Sequence, residues 1–147
     1  HRNVHLGHGD QGIQISSVGV DEGFVDLFAM KLQAGRNIQM EVRGEVIIKE
    51  TAVRSFGYVD PSQVIGLPID VTWRKEGTVV GVIEDFHFES VRHKISPVAL
   101  YGRGDGNPSF TGVLRMYLEG VAQTLTSLHD TWHRLVPDYP FHSLPLL

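Results

Sequence analysis

The strongest constraint in this sequence lies near its end. Val121, Leu125, Leu128, Trp132 and Leu135 recur at steps of four, three, four and three residues, which on a 3.6-residue helix draws one apolar stripe along a single face. A helix with such a stripe has to bury it against another element. The residues on either side read as strands, Thr111 to Leu118 before and Phe141 to Leu146 after, with Pro137 ending the helix and Asp138, Tyr139 and Pro140 turning the chain back. Strand, helix and strand in that order predict a β-α-β unit packed on a sheet. Burial of the stripe would make Trp132→Ala cost about 3–5 kcal/mol.

A second unit of the same kind stands near the start. Ile13, Ile15, Val18 and Val20 mark a strand whose alternation slips at Ser16-Ser17, as at a bulge. Asp21 occupies an N-cap position, Glu22 adds charge to the first turn, and Phe24, Leu27 and Phe28 carry helical spacing, so a helix is predicted over about 21–29. Met30 to Gly35 returns extended into a glycine turn, with Arg36 just beyond. Residues 1–12 hold three His and three Gly among few apolar residues and read as a flexible lead-in.

Between these units the pattern is less regular. Val46 to Ile48 reads as a strand, Glu50 to Phe56 as a helix closed by Gly57, and Asp60-Pro61 as the start of a short helix closed by Gly66. Leu67 to Trp73 and Thr78 to Ile83 read as a hairpin through the polar run 74–77. Phe86 and Phe88 share a face if extended, and Val91 and Ile95 continue an apolar seam. Pro97 then stops any helix, Val98 to Tyr101 is strand-like, and 102–109 is a Gly- and Asp-rich loop. The fold class predicted is α+β: a mixed sheet with helices on one face and β-α-β units at both ends.

Composition narrows the function. Thirteen basic against 17 acidic residues, with no long run of like charge, argue against a nucleic-acid partner. The lack of cysteine excludes a disulfide scaffold, a thiolate metal site and a thiol nucleophile. No stretch reaches the roughly 18 apolar residues of a membrane span, and His1-Arg2-Asn3-Val4-His5 does not begin a signal peptide. The piece itself reads as soluble, in a form that could be cut from a membrane protein.

Four segments in register, 20–28, 32–36, 46–52 and 80–90, resemble the MacB-like periplasmic core domain of FtsX/MacB-type ABC transporter permeases, in the version of the Bacteroides group. Ile95-Ser96-Pro97 and Trp132 with 137–141 extend the resemblance to about residues 18–142. The positions that carry it are Asp21, Phe24, Phe28, Gly35, Arg36, Glu50, Thr51, Ala52, Gly66, Gly81, Asp85, Phe86, His87, Phe88, Pro97, Trp132 and Pro137, all read as structural. Lys49 stands where the family usually has Asn, and the stretch from Arg36 to Glu45 is short for it. The resemblance implies one extracytoplasmic domain over 13–147, with a porter-like lobe from about 13–33 plus 109–147 and a second small lobe, 34–108, inserted. It further implies a periplasmic place on the inner membrane within a multi-pass permease dimer. The partners implied are the permease's own transmembrane helices, a cytoplasmic ATPase acting through them, and a periplasmic adaptor or envelope protein. The role implied is mechanotransmission, with no catalytic residue and no cofactor.

Several residue sets invite other chemistry. Asp85, His87 and His93 would be the ligands of a small metal-dependent hydrolase; the plainer reading has Asp85 accepting backbone N–H bonds at a strand exit while Phe86 and Phe88 anchor the core. His129 and His133, four apart on one helix face, match a zincin spacing, but Asp130 stands where that motif needs Glu and no third ligand is apparent, so a hydrated helix face is favoured. His1, His5 and His8 form a histidine-rich end of adventitious metal affinity, and Arg103-Gly104-Asp105 is a chance tripeptide. No nucleophile elbow and no phosphate-binding glycine loop is present. An extracytoplasmic sensor, with a concave ligand pocket, is the alternative to the transporter reading.

Overall fold

The structure, a computed structural model, describes residues 2–7, 12–70, 77–86, 97–102, 112–117 and 119–143. It divides into two compact units, His1–Phe110 and Thr111–Leu147.

The first unit is built on one strand, β4 (Glu45–Lys49), every residue of which is buried. Val46, Ile47 and Ile48 keep 1%, 0% and 0% of their surface exposed. An unbroken apolar run of this kind belongs to a strand covered on both faces. β4 lies between β7 (Val98–Gly102), antiparallel to it, and β6 (Gly77–Ile83), parallel to it. Outward from β7 come β2 (Ile13–Val20), parallel, and β1 (Arg2–Val4), antiparallel; on the far side of β6 lies β3 (Leu32–Gly35), antiparallel. The sheet order is β1-β2-β7-β4-β6-β3, with the two-residue β5 (Pro68–Ile69) also paired to β6. This is the mixed sheet of an α+β fold.

Helices cover both faces rather than the one predicted. Val46, Ile48, Val79 and Val82 form one cluster with Ala52 and Val53 of α2 (Glu50–Ser55) and Val64 of the 3₁₀ turn Pro61–Val64. Ile47, Ile83 and Leu100 form a second with Val25 of α1 (Gly23–Leu27) and Ile38. Side chains alternate across a strand, so Ile47 and its neighbours must face opposite layers. The register shift between Val46 and Ile47 against Val79 and Gly81 is a bulge that keeps Val79 and Val82 on one face.

The lead-in reading of residues 1–12 is corrected over 2–7. β1 pairs with β2, Leu6 bridges Ile69, Gly7 N–H donates to Pro68 O at 2.7 Å and Asp70 N–H to His5 O at 3.2 Å. Val4 and Leu6 are 1% and 3% exposed. Two apolar side chains supply the burial that the surrounding His and Gly conceal. The proposed lobe boundary near residue 34 also falls inside this sheet, because β2 and β3 share it with β4, β6 and β7. Of the predicted hairpin, β5 and β6 are paired antiparallel, while 71–76 lie outside the described residues.

Helix ends follow local chemistry. Asp21 Oδ1 accepts the Gly23 N–H at 3.0 Å, so the capping oxygen comes from two residues before α1. α1 and α2 close with the same pair of bonds. Met30 N–H reaches Val25 O at 2.9 Å and Ala29 N–H reaches Asp26 O at 3.0 Å; Tyr58 N–H reaches Val53 O at 3.2 Å and Gly57 N–H reaches Arg54 O at 3.0 Å. Both are Schellman closures needing a left-handed residue. Gly57 holds that position in α2 at φ 88°, but in α1 it falls to Ala29 at φ 51°. Ala29→Gly is therefore expected to raise stability by about 0.5–1 kcal/mol and Gly57→Ala to lower it by about 1 kcal/mol. Denaturant midpoints check the opposite signs.

The second unit contains α3 (Val121–Leu135), as the stripe predicted. The flanking strands are not formed among the described residues: 112–117 and 141–143 carry no ladder. Alternating side chains favour an extended chain, but a strand exists only when paired. No residue of α3 is fully buried, and Trp132 keeps 36% of its surface exposed, so the large truncation cost expected of a buried Trp132 does not hold. Its indole N–H donates to Tyr139 O at 2.8 Å and its ring lies 6.0 Å from that of Phe141, which folds the turn after Pro137 back onto the helix.

Candidate functional site

Two polar clasps sit at the ends of β4. Glu45, Ile47 and Lys49 share one face of that strand, so a carboxylate and an ammonium stand at its two ends, 3% and 2% exposed. Charged groups this buried need partners.

Glu45 takes a fork from Arg36. One guanidinium nitrogen donates to Oε2 at 2.9 Å and the other pairs with Oε1, while Gln39 N–H donates to Oε2 at 2.7 Å. Hydrogen bonds from Arg36, with help from Gln39, hold the Glu45 carboxyl below its usual range against the opposing effect of burial, and Glu45 raises Arg36 in turn. The clasp closes the segment 36–45 over Ile38. It forms because β3 ends hard against β6: Gly35 pairs with Gly81, and Arg36 N–H donates to Val80 O at 2.9 Å. A Cβ on Gly35, at φ +71°, would stand 2.1 Å from Val80 O, and one on Gly81 would stand 2.3 Å from Arg36 O.

Lys49 forms the second clasp. Its Nζ donates to Phe86 O at 2.6 Å and lies 3.9 Å from the centre of the Phe86 ring. Burial pushes the Lys49 ammonium below its ordinary value, with the charge of Asp85 opposing. Asp85 Oδ1 accepts the Thr51 N–H at 2.9 Å and Oδ2 accepts Arg54 Nη2 at 2.5 Å; Arg54 also meets Glu50 at 3.2 Å. Burial alone would raise the Asp85 carboxyl, but the bonds from Thr51 and Arg54 outweigh it and leave it lowered. Asp85 thus caps α2 from 34 residues away, and the exit of β6 is tied to the start of α2.

The structure brings Arg36, Glu50, Thr51, Ala52, Gly35, Gly81, Asp85 and Phe86 into this region. Ala52 is fully buried beneath it. The rings of Phe24 in α1 and Phe28 at its C-cap meet at 4.7 Å, tilted by 45°. Gly66 closes the 3₁₀ turn at φ +84°, its N–H on Val79 O at 2.8 Å, and Pro97 O accepts Ser16 N–H at 3.0 Å where β7 begins. Asp60 caps that turn through the Ser62 N–H at 2.9 Å. Asp85 has its oxygens on Thr51 and Arg54; His87, Phe88 and His93 lie outside the described residues, as do His1, His8 and 103–105. Among the described residues no three His, Asp or Glu side chains converge as a metal site. A shallow depression on α3 is lined by Ala122, Gln123, Thr126 and Ser127, none of them titratable.

Glu45 and Arg54 escaped the sequence reading, and Lys49 entered it only as a departure from the family, without a role. The signal was present: polar residues at i and i+4 around Ile47 fall on the same face as that residue, and a charge there must be clasped.

No protein-family model matches the chain, and no curated protein matches its sequence. Solved structures do. A domain of a protein designated a permease, from Porphyromonas gingivalis, matches with a TM-score of 0.68 at 17% identity, over 99% of this chain and 74% of that one. The periplasmic region of MacB from Actinobacillus actinomycetemcomitans matches with a TM-score of 0.61 at 15% identity, over 90% of this chain; the chain spans 64% of that region. The chain has the MacB-like periplasmic fold.

Proposed function

We propose that this chain is the extracytoplasmic domain of an ABC transporter permease and that it transmits motion rather than catalysing a reaction. The observation that carries this reading is the fold shared with two permease domains over nearly the whole chain. The clasps support it. A body that passes displacement from membrane helices to a partner must not yield internally, and buried, multiply bonded charges at both ends of the central strand fix the segments 36–45 and 84–86 to the sheet. ATP hydrolysis by a cytoplasmic subunit would move the membrane helices of a permease dimer, and this domain would carry that movement to an envelope partner, an adaptor or the exported substrate. The domain needs no cofactor for this.

No helix among the described residues is long and apolar enough to cross a membrane, so on this reading the membrane helices belong to the rest of the permease. Val59 is 91% exposed and the chain has no cysteine of its own. In the full-length gene product on an otherwise cysteine-free background, Val59→Cys is expected to react with a membrane-impermeant maleimide once the outer membrane alone is permeabilised, and the protein to stay with membranes at alkaline pH. Labelling only after lysis of the inner membrane would overturn the proposal.

A further inference from the structure

On α3 the two rings that the sequence places four residues apart point at each other. His129 Nε2 and His133 Nε2 are 3.1 Å apart, with ring centres at 4.4 Å and planes 64° from parallel. His129 is held from two sides. The ring of Phe141 meets it edge to face at 5.9 Å and 88°, and its Nδ1 lies 3.6 Å from Asp130 Oδ1. With Nδ1 on the side of the Asp130 carboxylate, Nε2 is the ring nitrogen turned toward His133.

We propose that His129 and His133 form a two-nitrogen clamp for a divalent first-row transition metal, Zn²⁺ or Cu²⁺. Nitrogens at about 2.0–2.1 Å from a tetrahedral metal stand about 3.3 Å apart. Adjacent corners of a square-planar Cu²⁺ site bring them to about 2.8–2.9 Å. The observed 3.1 Å, which in the metal-free pair is a hydrogen bond between the rings, lies between these values, so the nitrogens already stand at chelating separation and a turn of the rings would aim both lone pairs at one ion. The His129 side chain is 53% exposed, which leaves the remaining coordination positions open to water or to a ligand from another molecule. Among the described residues no third ligand joins the pair, so the clamp is an open site and not a structural one. The assignment rests on the second unit alone and does not depend on the permease reading.

The test uses the whole chain with His1, His5 and His8 changed to Gln, which removes the histidine-rich end as a competitor. Zn²⁺ titration by calorimetry is expected to show one equivalent bound, and His129→Gln and His133→Gln each to weaken binding at least tenfold with unchanged helix content by circular dichroism. Substoichiometric Cu²⁺ should broaden the imidazole Cε1–H resonances of His129 and His133 before those of His87, His93 or His142. Failure to bind at 1 mM Zn²⁺, a change below twofold in either variant, or broadening centred elsewhere would overturn the proposal.

Discussion

Gly81→Val is expected to destabilise the first unit by about 3 kcal/mol or more, among the largest effects of any single substitution in this chain. The new Cβ would stand 2.3 Å from Arg36 O, a backbone atom that no rotamer change can clear. β3 would have to leave β6, breaking the bond from Arg36 N–H to Val80 O and withdrawing the guanidinium from Glu45. Gly35→Ala should behave alike, since its Cβ meets Val80 O at 2.1 Å and its φ of +71° adds strain. Gly66→Ala is the control. It shares a positive φ, +84°, but has nothing within 4 Å of the added carbon, so only about 1 kcal/mol should be lost. Urea unfolding followed by circular dichroism gives all three values. A Gly81→Val protein no less stable than Gly66→Ala would mean that the close approach of β3 to β6 is not real.

The second large effect belongs to Glu45. Truncation to Ala removes the acceptor of the Arg36 fork and of the Gln39 N–H from a position 3% exposed, at a cost of about 2–4 kcal/mol. The same carboxylate predicts a pH dependence. Its folded pKa lies below its unfolded value, so the folded state holds fewer protons as the pH falls into the carboxylate range. The stabilisation is complete above about pH 5 and is lost as the pH drops through the unfolded value of about 4.3 toward the folded one. Asp85 is lowered too and contributes to the same acid limb. Glu45→Gln should flatten that limb without removing it. A limb of wild-type steepness in Glu45→Gln would rule out the fork as its source.

Much of this architecture could be read before the structure. The run Val46-Ile47-Ile48, the glycine closure of α2, the Asp60-Pro61 start and the stripe of α3 each rest on contacts within a few residues, and each formed where predicted. What escaped depends on distant partners. The second helical face is the exception: it was missed although the unbroken apolar run of β4 implies it, because a strand open on one side alternates. Val4 and Leu6 find their burial beside β2 and Ile69, a pairing that no local pattern announces. The strand readings at 111–118 and 141–146 erred in the other direction over the described residues 112–117 and 141–143, taking alternation for pairing. Of the candidate site, Asp85 was placed at a strand exit with backbone donors, yet its partners at Thr51 and Arg54 come from 34 and 31 residues away. Arg36 was singled out without Glu45, since a salt bridge across a loop leaves no periodicity to detect.

The proposed rigid transmission is most directly tested by distance measurement between spin labels in the full-length gene product. On a cysteine-free background, Val59→Cys paired across the proposed dimer reports movement of one domain against the other, and Val59→Cys with Leu32→Cys in one protomer reports deformation within the first unit; both positions are exposed, at 91% and 40%. ATP binding should shift the first distance by several ångströms and leave the second within about 1 Å. A second distance that changes as much as the first, or a first that does not change at all, would contradict a body that carries motion without yielding.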